Sequence, residues 1–310
     1  MPSAFNRVGV LLLAAGTIAS AGCGSGPTQG RSTHAFSKKA VPEHLKGLRN
    51  ERADVRREAA HALWQIGSEA PEATPVLLEV LRDQDPEVRA EVARALGHTT
   101  RDEKRAIPAL VAATKDQEPK VRLRATVSLR ELVELAKEQA DIVLPALIAE
   151  LKDPSDDVRI QASQLLCKFG KQAKAAVPNL IDNLKSENPE IRRRAAGTLS
   201  WIGEEAKPAL PLLLKIAGDE QDLASCETAI AAIGTLGAGA QSAVPFLIAK
   251  VKGDVPLLKE WATVALYNIG PAAKEALPAL EEALKTSQDG KYLQVVRLAI
   301  DSLNGNKRNS

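Results

Sequence analysis

Four imidazoles and three thiols are the groups in this chain best able to shuttle protons, ligate a metal or attack an electrophile: His34, His44, His61 and His98, with Cys23, Cys167 and Cys226. Their spacing builds none of the arrangements such chemistry uses. The sequence contains no His-Glu-x-x-His stretch, no cysteine pair at zinc spacing and no phosphate-cradling loop. The glycines of GTLGAGA, residues 234–240, follow no strand pattern and read as a boundary between elements. No histidine has a nucleophile or an orienting acid in a partner motif, so a catalytic triad is unsupported, and the chain is expected to be non-enzymatic and to hold no metal or cofactor. What remains are side chains that bind. Trp64, Trp201 and Trp261 stand among many arginines, and these residue types dominate the energetics of protein–protein contacts.

Charge narrows the class of partner. Over 310 residues, 41 basic and 39 acidic side chains leave a formal net charge of +2, so nothing global points to nucleic acid. Hydrophobic residues make up 45% and aromatics only 3%, a composition of Ala, Leu, Val and Ile that suits closely packed helices.

The elements that must position these side chains come from one repeated unit, clearest in Pro178 to Gly203. Val177, Leu180, Ile181 and Leu184 line one helix face, and Ile191, Ala195, Leu199 and Ile202 line a second. Between them Asn188 can cap the new helix and Pro189 occupies a first-turn position that needs no donor. Gly203 is expected to close the unit in a left-handed C-terminal cap. Prolines 42, 75, 108, 145, 178, 211, 245 and 278 recur at intervals of 33, 33, 37, 33, 33, 34 and 33 residues. Glycines 67, 170, 203, 237 and 270 each stand eight residues before the next of these prolines. A fixed period of this length predicts a solenoid of about eight helix pairs over residues 41–305. The four extra residues of the long interval fall in ELVELAKEQA and predict a second helix one turn longer in the third repeat. Cys167 and Cys226 sit two layers apart, beyond disulfide reach, and read as packed free thiols.

PVLLEVLRDQDPEVR, PALVAATKDQEPKVR and PALIAELKDPSDDVR resemble HEAT repeats, in particular the subfamily of phycobilisome-lyase HEAT-like repeats. The resemblance implies an all-α, right-handed α-α superhelix whose second helices line the concave side. It also implies an aspartate in each turn six residues before an arginine, matched by Asp83 and Arg89, Asp116 and Arg122, and Asp153 and Arg159. These are read as scaffold, the arginine of one repeat bonding the turn carboxylate of the next. Asn50 and Ser186 stand in the aspartate position of the first and fifth repeats. Cys226 and Lys259 replace the arginine of the sixth and seventh, and the eighth offers only Tyr292, Leu293 or Gln294, so the ladder is in doubt beyond the fifth. Trp64, Arg130, Trp201 and Tyr267 fall at positions flanking the apolar face of second helices and form a candidate partner-binding groove, whereas Trp261 is read as packing. The expected function is a protein-interaction scaffold, monomeric, holding a protein or peptide on its concave face. A polyanion-binding module using arginines such as Arg57, Arg94, Arg124, Arg193 and Arg194, and an enzyme resembling HEAT-like lyases, are the alternatives.

The N-terminus reads as an export segment. Arg7 precedes the apolar run VGVLLLAAGTIA, too short to span a bilayer, and small residues follow. Ala19-Ser20-Ala21 fits ordinary signal peptidase, whereas Ser20-Ala21-Gly22-Cys23 resembles a bacterial lipobox that would make Cys23 a lipid attachment site. The expected organisation is a signal peptide at 1–22, a Gly/Ser-rich tether at 23–40, the solenoid, and a tail at 306–310. The implied location is the bacterial envelope, either lipid-anchored at the outer membrane or free in the periplasm.

Overall fold

The structure, a computed structural model, describes residues 37–100 and 102–306. The signal segment, Cys23, most of the tether and the tail after Asn306 lie outside the described residues. The described chain opens inside the expected tether, because Lys38–Ala40 already form a 3-10 turn leading into the first helix.

Eight helix pairs follow in chain order: α1 (Val41–Gly47) with α2 (Ala53–Ile66), α3 (Thr74–Val80) with α4 (Pro86–Thr99), and α5 (Glu103–Ala113) with α6 (Pro119–Glu131). After an inserted α7 (Val133–Glu138) come α8 (Ala140–Glu150) with α9 (Asp156–Phe169), and α10 (Val177–Asn183) with α11 (Pro189–Ile202). The last three pairs are α12 (Leu210–Ala217) with α13 (Leu223–Thr235), α14 (Val244–Lys252) with α15 (Pro256–Ile269), and α16 (Leu277–Thr286) with α17 (Gly290–Leu303). No strand occurs among the described residues. Second helices start where short acceptors meet free backbone donors: the Asp85, Asn188, Asp222 and Asp289 side chains each accept from an N–H of the first turn.

Two expectations need correction. The glycine closing a second helix is not a left-handed helical cap. Gly67, Gly170, Gly203 and Gly270 have φ of 63°, 53°, 79° and 70°, but ψ between −128° and −140°. That is the mirror of extended backbone, a region a Cβ disfavours more strongly than left-handed helix. It turns the chain at once into a 3-10 segment, such as Gly203–Ala209, that feeds the next first helix. Nor is the second helix of the third repeat longer. It ends at Glu131, and the extra residues coil separately as α7, flanked by Leu132 (φ −92°, ψ 23°) and Gln139 (φ −114°, ψ 34°).

The second helices stack on one another from α2 to α17, while consecutive first helices touch sparsely. Open grooves of about 860, 330 and 800 Å³ separate α3 from α5, α10 from α12 and α14 from α16. A row that packs tightly beside a row that gapes must lie on the inside of a bend, which makes the second-helix row the concave face. Small residues permit this closeness. A Cβ on Gly97 would lie 2.8 Å from Ser128 Cβ, and one on Gly234 would lie 2.7 Å from the Ala265 Cα. In the second case the obstacle is backbone, so α13 and α15 would have to separate. Gly234→Ala is therefore expected to destabilise by about 2–3 kcal/mol. Because each repeat touches only its neighbours, denaturant unfolding should split into two transitions, and a single transition at an unchanged midpoint would show that the stack absorbs the methyl group.

Candidate partner-binding face

At the turns, charge is spent on holding repeats together. Arg56 bonds Asp83 through Nε at 2.6 Å and Nη2 at 2.7 Å, Arg89 bonds Asp116 at 2.8 and 2.9 Å, and Arg122 bonds Asp153 at 2.6 and 2.8 Å. Each guanidinium also donates to carbonyl oxygens of its own turn, as Arg122 Nη1 does to Asp116 and Gln117, both at 2.9 Å. Burial works to raise the carboxyl pKa of Asp83, Asp116 and Asp153, but hydrogen bonds from the arginines and from turn N–H groups outweigh it and hold all three below the usual value. Arg159 finds no carboxylate in the next turn, where Ser186 stands, and folds back onto Asp156 and the Asp153 carbonyl. One repeat later the rung returns, Arg192 Nη2 reaching Asp222 at 3.0 Å. In the sixth repeat Cys226 takes over the inner half of the arginine's task, its thiol donating to the Asp219 carbonyl at 2.8 Å. Cys167 and Cys226 are both free.

This geometry removes Arg56, Arg89, Arg122, Arg159 and Arg192 from the pool a polyanion could use. Arg193 and Arg194 are both paired with Glu190, and Arg94 lies 3.6 Å from Glu91. Among the described residues Arg57, Arg124 and Lys168 form no ion pair.

The four side chains expected to edge one groove sit on alternate second helices, α2, α6, α11 and α15, and no contact joins them. Trp64 is packed rather than displayed: the Arg94 guanidinium lies 3.3 Å from its ring centroid, with the His61 and His98 rings at 5.3 and 5.7 Å. Its Nε1 is buried and finds no acceptor among the described residues. Arg130 reaches across to α9, where Nη1 donates to Gln161 Oε1 at 2.6 Å and Gln164 Oε1 at 2.9 Å. Tyr267 is half-buried against the core, as is Trp261. Trp201 stands apart at 60% exposure on the last turn of α11. Elsewhere along the row Leu298 on α17 is also open, at 42%.

Sequence spacing missed two groups. His61 Nδ1 lies 3.3 Å from Glu91 Oε2 and His98 Nδ1 lies 2.8 Å from Glu131 Oε2, each pair joining neighbouring repeats about one period apart. Burial pushes the Glu131 carboxyl up, more than His98, Arg130, Arg94 and Arg124 pull it down. The other is Glu150, only 4% exposed at the end of α8. Val80, Ala113, Ile216 and Ala283 occupy its place in four other repeats, but Gly47, Asn183 and Lys250 occupy it in the rest, so spacing did not single it out. Among the described residues no cluster of His, Cys, Asp and Glu is arranged to hold a metal ion, and no helix is long and apolar enough to cross a membrane.

Helix pairs in register, tied turn to turn by arginine and aspartate and presenting a continuous face rather than an enclosed pocket, define an α-solenoid. The chain belongs to the HEAT-repeat family: the family described as HEAT repeats matches residues 38–130 and 144–225, and that described as PBS lyase HEAT-like repeat matches 258–286. Similar solved structures include an engineered protein (TM-score 0.64, 21% identity, covering 87% of this chain and 82% of that one) and Escherichia coli YibA (0.59, 19%, 90% and 99%). Kap95 in its complex with Nup1 is also similar (0.63, 14%, 86% of this chain and 40% of that one). At these identities the likeness is one of fold. A search of curated protein sequences finds no match.

Proposed function

We propose that this chain is a non-enzymatic scaffold whose concave face holds a segment of another protein. The observation that carries this reading is Trp201, left 60% exposed on the tightly packed row, the most open of the large hydrophobics exposed among the described residues, the others being Leu223, Leu257 and Leu298. On the following second helices Thr228, Ala231 and Trp261 are half-buried and Leu298 is exposed. These uncharged side chains would continue the surface from Trp201 along the row and suit an extended segment. Cys23, if lipidated, would tether the scaffold to the bacterial envelope through the Gly/Ser-rich stretch, and Cys23→Ala should then move the protein from the membrane to the soluble fraction.

The test of the concave face is photo-crosslinking from single positions in cells. Crosslinkers at Thr228 or Gln164 should trap a partner, whereas crosslinkers at Lys185 or Glu282, in the first-helix layer, should not. Trp201→Ala should weaken the captured complex by about 30-fold, the scale of a central aromatic anchor. Crosslinks arising only from the first-helix layer would overturn the reading.

A further inference from the structure

One guanidinium on the concave face is held in place by neutral groups and, among the described residues, makes no ion-pair contact, although the adjacent Glu131 carboxyl feels its charge. Arg130 is gripped by the side-chain oxygens of Gln161 and Gln164, at 2.6 and 2.9 Å, and both grips are neutral amides. Among the described residues no carboxylate lies within ion-pair distance of it. The helix receiving it, α9, carries the half-buried Gln161 and Gln164 and the exposed Lys168 beyond its first turn, where its two acids, Asp156 and Asp157, lie. Lys168 forms no ion pair among the described residues, whereas Arg194 on the next helix is paired with Glu190. Arg124, on the same helix as Arg130, has a buried Nε without an acceptor among the described residues. The rungs at the turns show what this chain does with an arginine meant only for structure: it gives it a carboxylate of the neighbouring repeat. Arg130 receives two amides instead, which fix the direction of the fork and leave its charge available.

We propose that Arg130, oriented by Gln161 and Gln164 with the unpaired Lys168 on the same receiving helix, is an anchor for a carboxylate side chain of an acidic peptide lying across α6, α9 and α11. The assignment rests on the reading of the concave face as a partner-binding surface and names the chemistry of that partner. Spacing favours a peptide over a nucleic acid. Neighbouring helices lie about 10 Å apart and an extended peptide rises about 3.3 Å per residue, so an acid at every third residue keeps step with the helices. A duplex brings one charge per about 1.7 Å, far too closely spaced to keep step with helices about 10 Å apart.

The experiment uses the full chain and a fluorescein-labelled peptide, Glu-Ser-Ser-Glu-Ser-Ser-Glu, with anisotropy as readout and a peptide of the same composition with its glutamates adjacent as comparison. The spaced peptide should bind more tightly than the clustered one. Arg130→Gln should weaken it by about 10- to 100-fold, the loss of one charge-assisted fork. Replacing both Gln161 and Gln164 by alanine leaves the net charge unchanged and should still weaken binding several-fold, because the fork is no longer aimed. Arg57→Gln, which removes the same charge at the far end of the row, should change nothing. Equal losses from Arg57→Gln and Arg130→Gln, or tighter binding of single-stranded RNA than of peptide, would identify a diffuse basic surface and overturn the proposal. Absence of peptide binding in a chain whose Thr228 crosslinker still traps its partner would overturn this site while leaving the scaffold reading intact.

Discussion

Replacing Arg122 by alanine is expected to lower the unfolding free energy by about 3–5 kcal/mol, the cost of stranding one member of a buried ion pair. Arg122 and Asp153 keep only 12% and 8% of their side-chain surface exposed, and the guanidinium serves four acceptors in two repeats. Truncation leaves the Asp153 carboxylate facing apolar helices and frees the Asp116 and Gln117 carbonyls together. Arg122→Lys should recover less than half of the loss, since a point charge cannot meet both carboxylate oxygens in one plane. Arg52→Ala is the matched control. Its pair with Asp54 is of similar length, 2.6 Å, but 74% and 48% exposed, and should be worth less than about 1 kcal/mol. The Asp153 carboxyl lies below its ordinary 3.8 in the folded chain, so the rung contributes in full above that pH and is lost as pH falls through the folded value. Urea unfolding at neutral pH and in acid checks both statements: the Arg122→Ala deficit should shrink in acid, and a deficit as small as that of Arg52→Ala would reduce the ladder to decoration.

The neighbouring prediction has the opposite sign. Glu150→Gln is expected to stabilise the protein, by about 3 kcal/mol at pH 7 and approaching about 5 kcal/mol above pH 8, with no gain below the ordinary glutamate range. Burial pushes the Glu150 carboxyl from 4.5 up to about 8, with Asp153 adding to the rise and Thr126 and Arg122 opposing it. Hydrogen-bond geometry supports a neutral acid independently. Thr126 Oγ1 lies 2.6 Å from Glu150 Oε1 and 3.0 Å from the Arg122 carbonyl oxygen, and a hydroxyl has one hydrogen for two contacts. A protonated Glu150 can donate to Thr126 while Thr126 donates to Arg122, so both contacts carry a proton. In the unfolded chain the carboxyl ionises near its ordinary value. Between that value and about 8 the folded state therefore binds the extra proton, and stability falls as pH rises. Glutamine removes this dependence. Unfolding measured at pH 5, 7 and 8.5 should show the variant's advantage growing with pH, and an advantage independent of pH would mean that the carboxyl is already ionised in the folded chain. Since Arg122 is one of the groups restraining the Glu150 shift, Arg122→Ala and Glu150→Gln should not be additive.

How far each feature could be read in advance follows from its range along the chain. Paired helices, their period and the prolines and glycines at their ends were legible because a helix face is written at three- and four-residue spacing and a terminus in one or two side chains. The rungs were legible because aspartate and arginine recur with the period itself. The alternatives at the third repeat were not: four extra residues can lengthen a helix or coil separately, and sequence spacing treats both alike. Exposure was equally hidden. Trp64 and Trp201 stand one position apart in the repeat, yet one lies under Arg94 and between two histidines while the other faces solvent, and that outcome belongs to the side chains of the adjoining repeats.

The sequence by itself determined that the chain stacks helix pairs and that turn arginines meet aspartates, since both follow from local periodicity and from a charge pattern repeated at each turn. Only the tertiary structure decided which row closes on the inside of the bend, which arginines keep a free charge, and which carboxyl holds its proton. Those depend on distances between residues a full repeat apart, where a neighbouring helix supplies the carboxylate, the amide or the apolar wall that sets what each side chain can do.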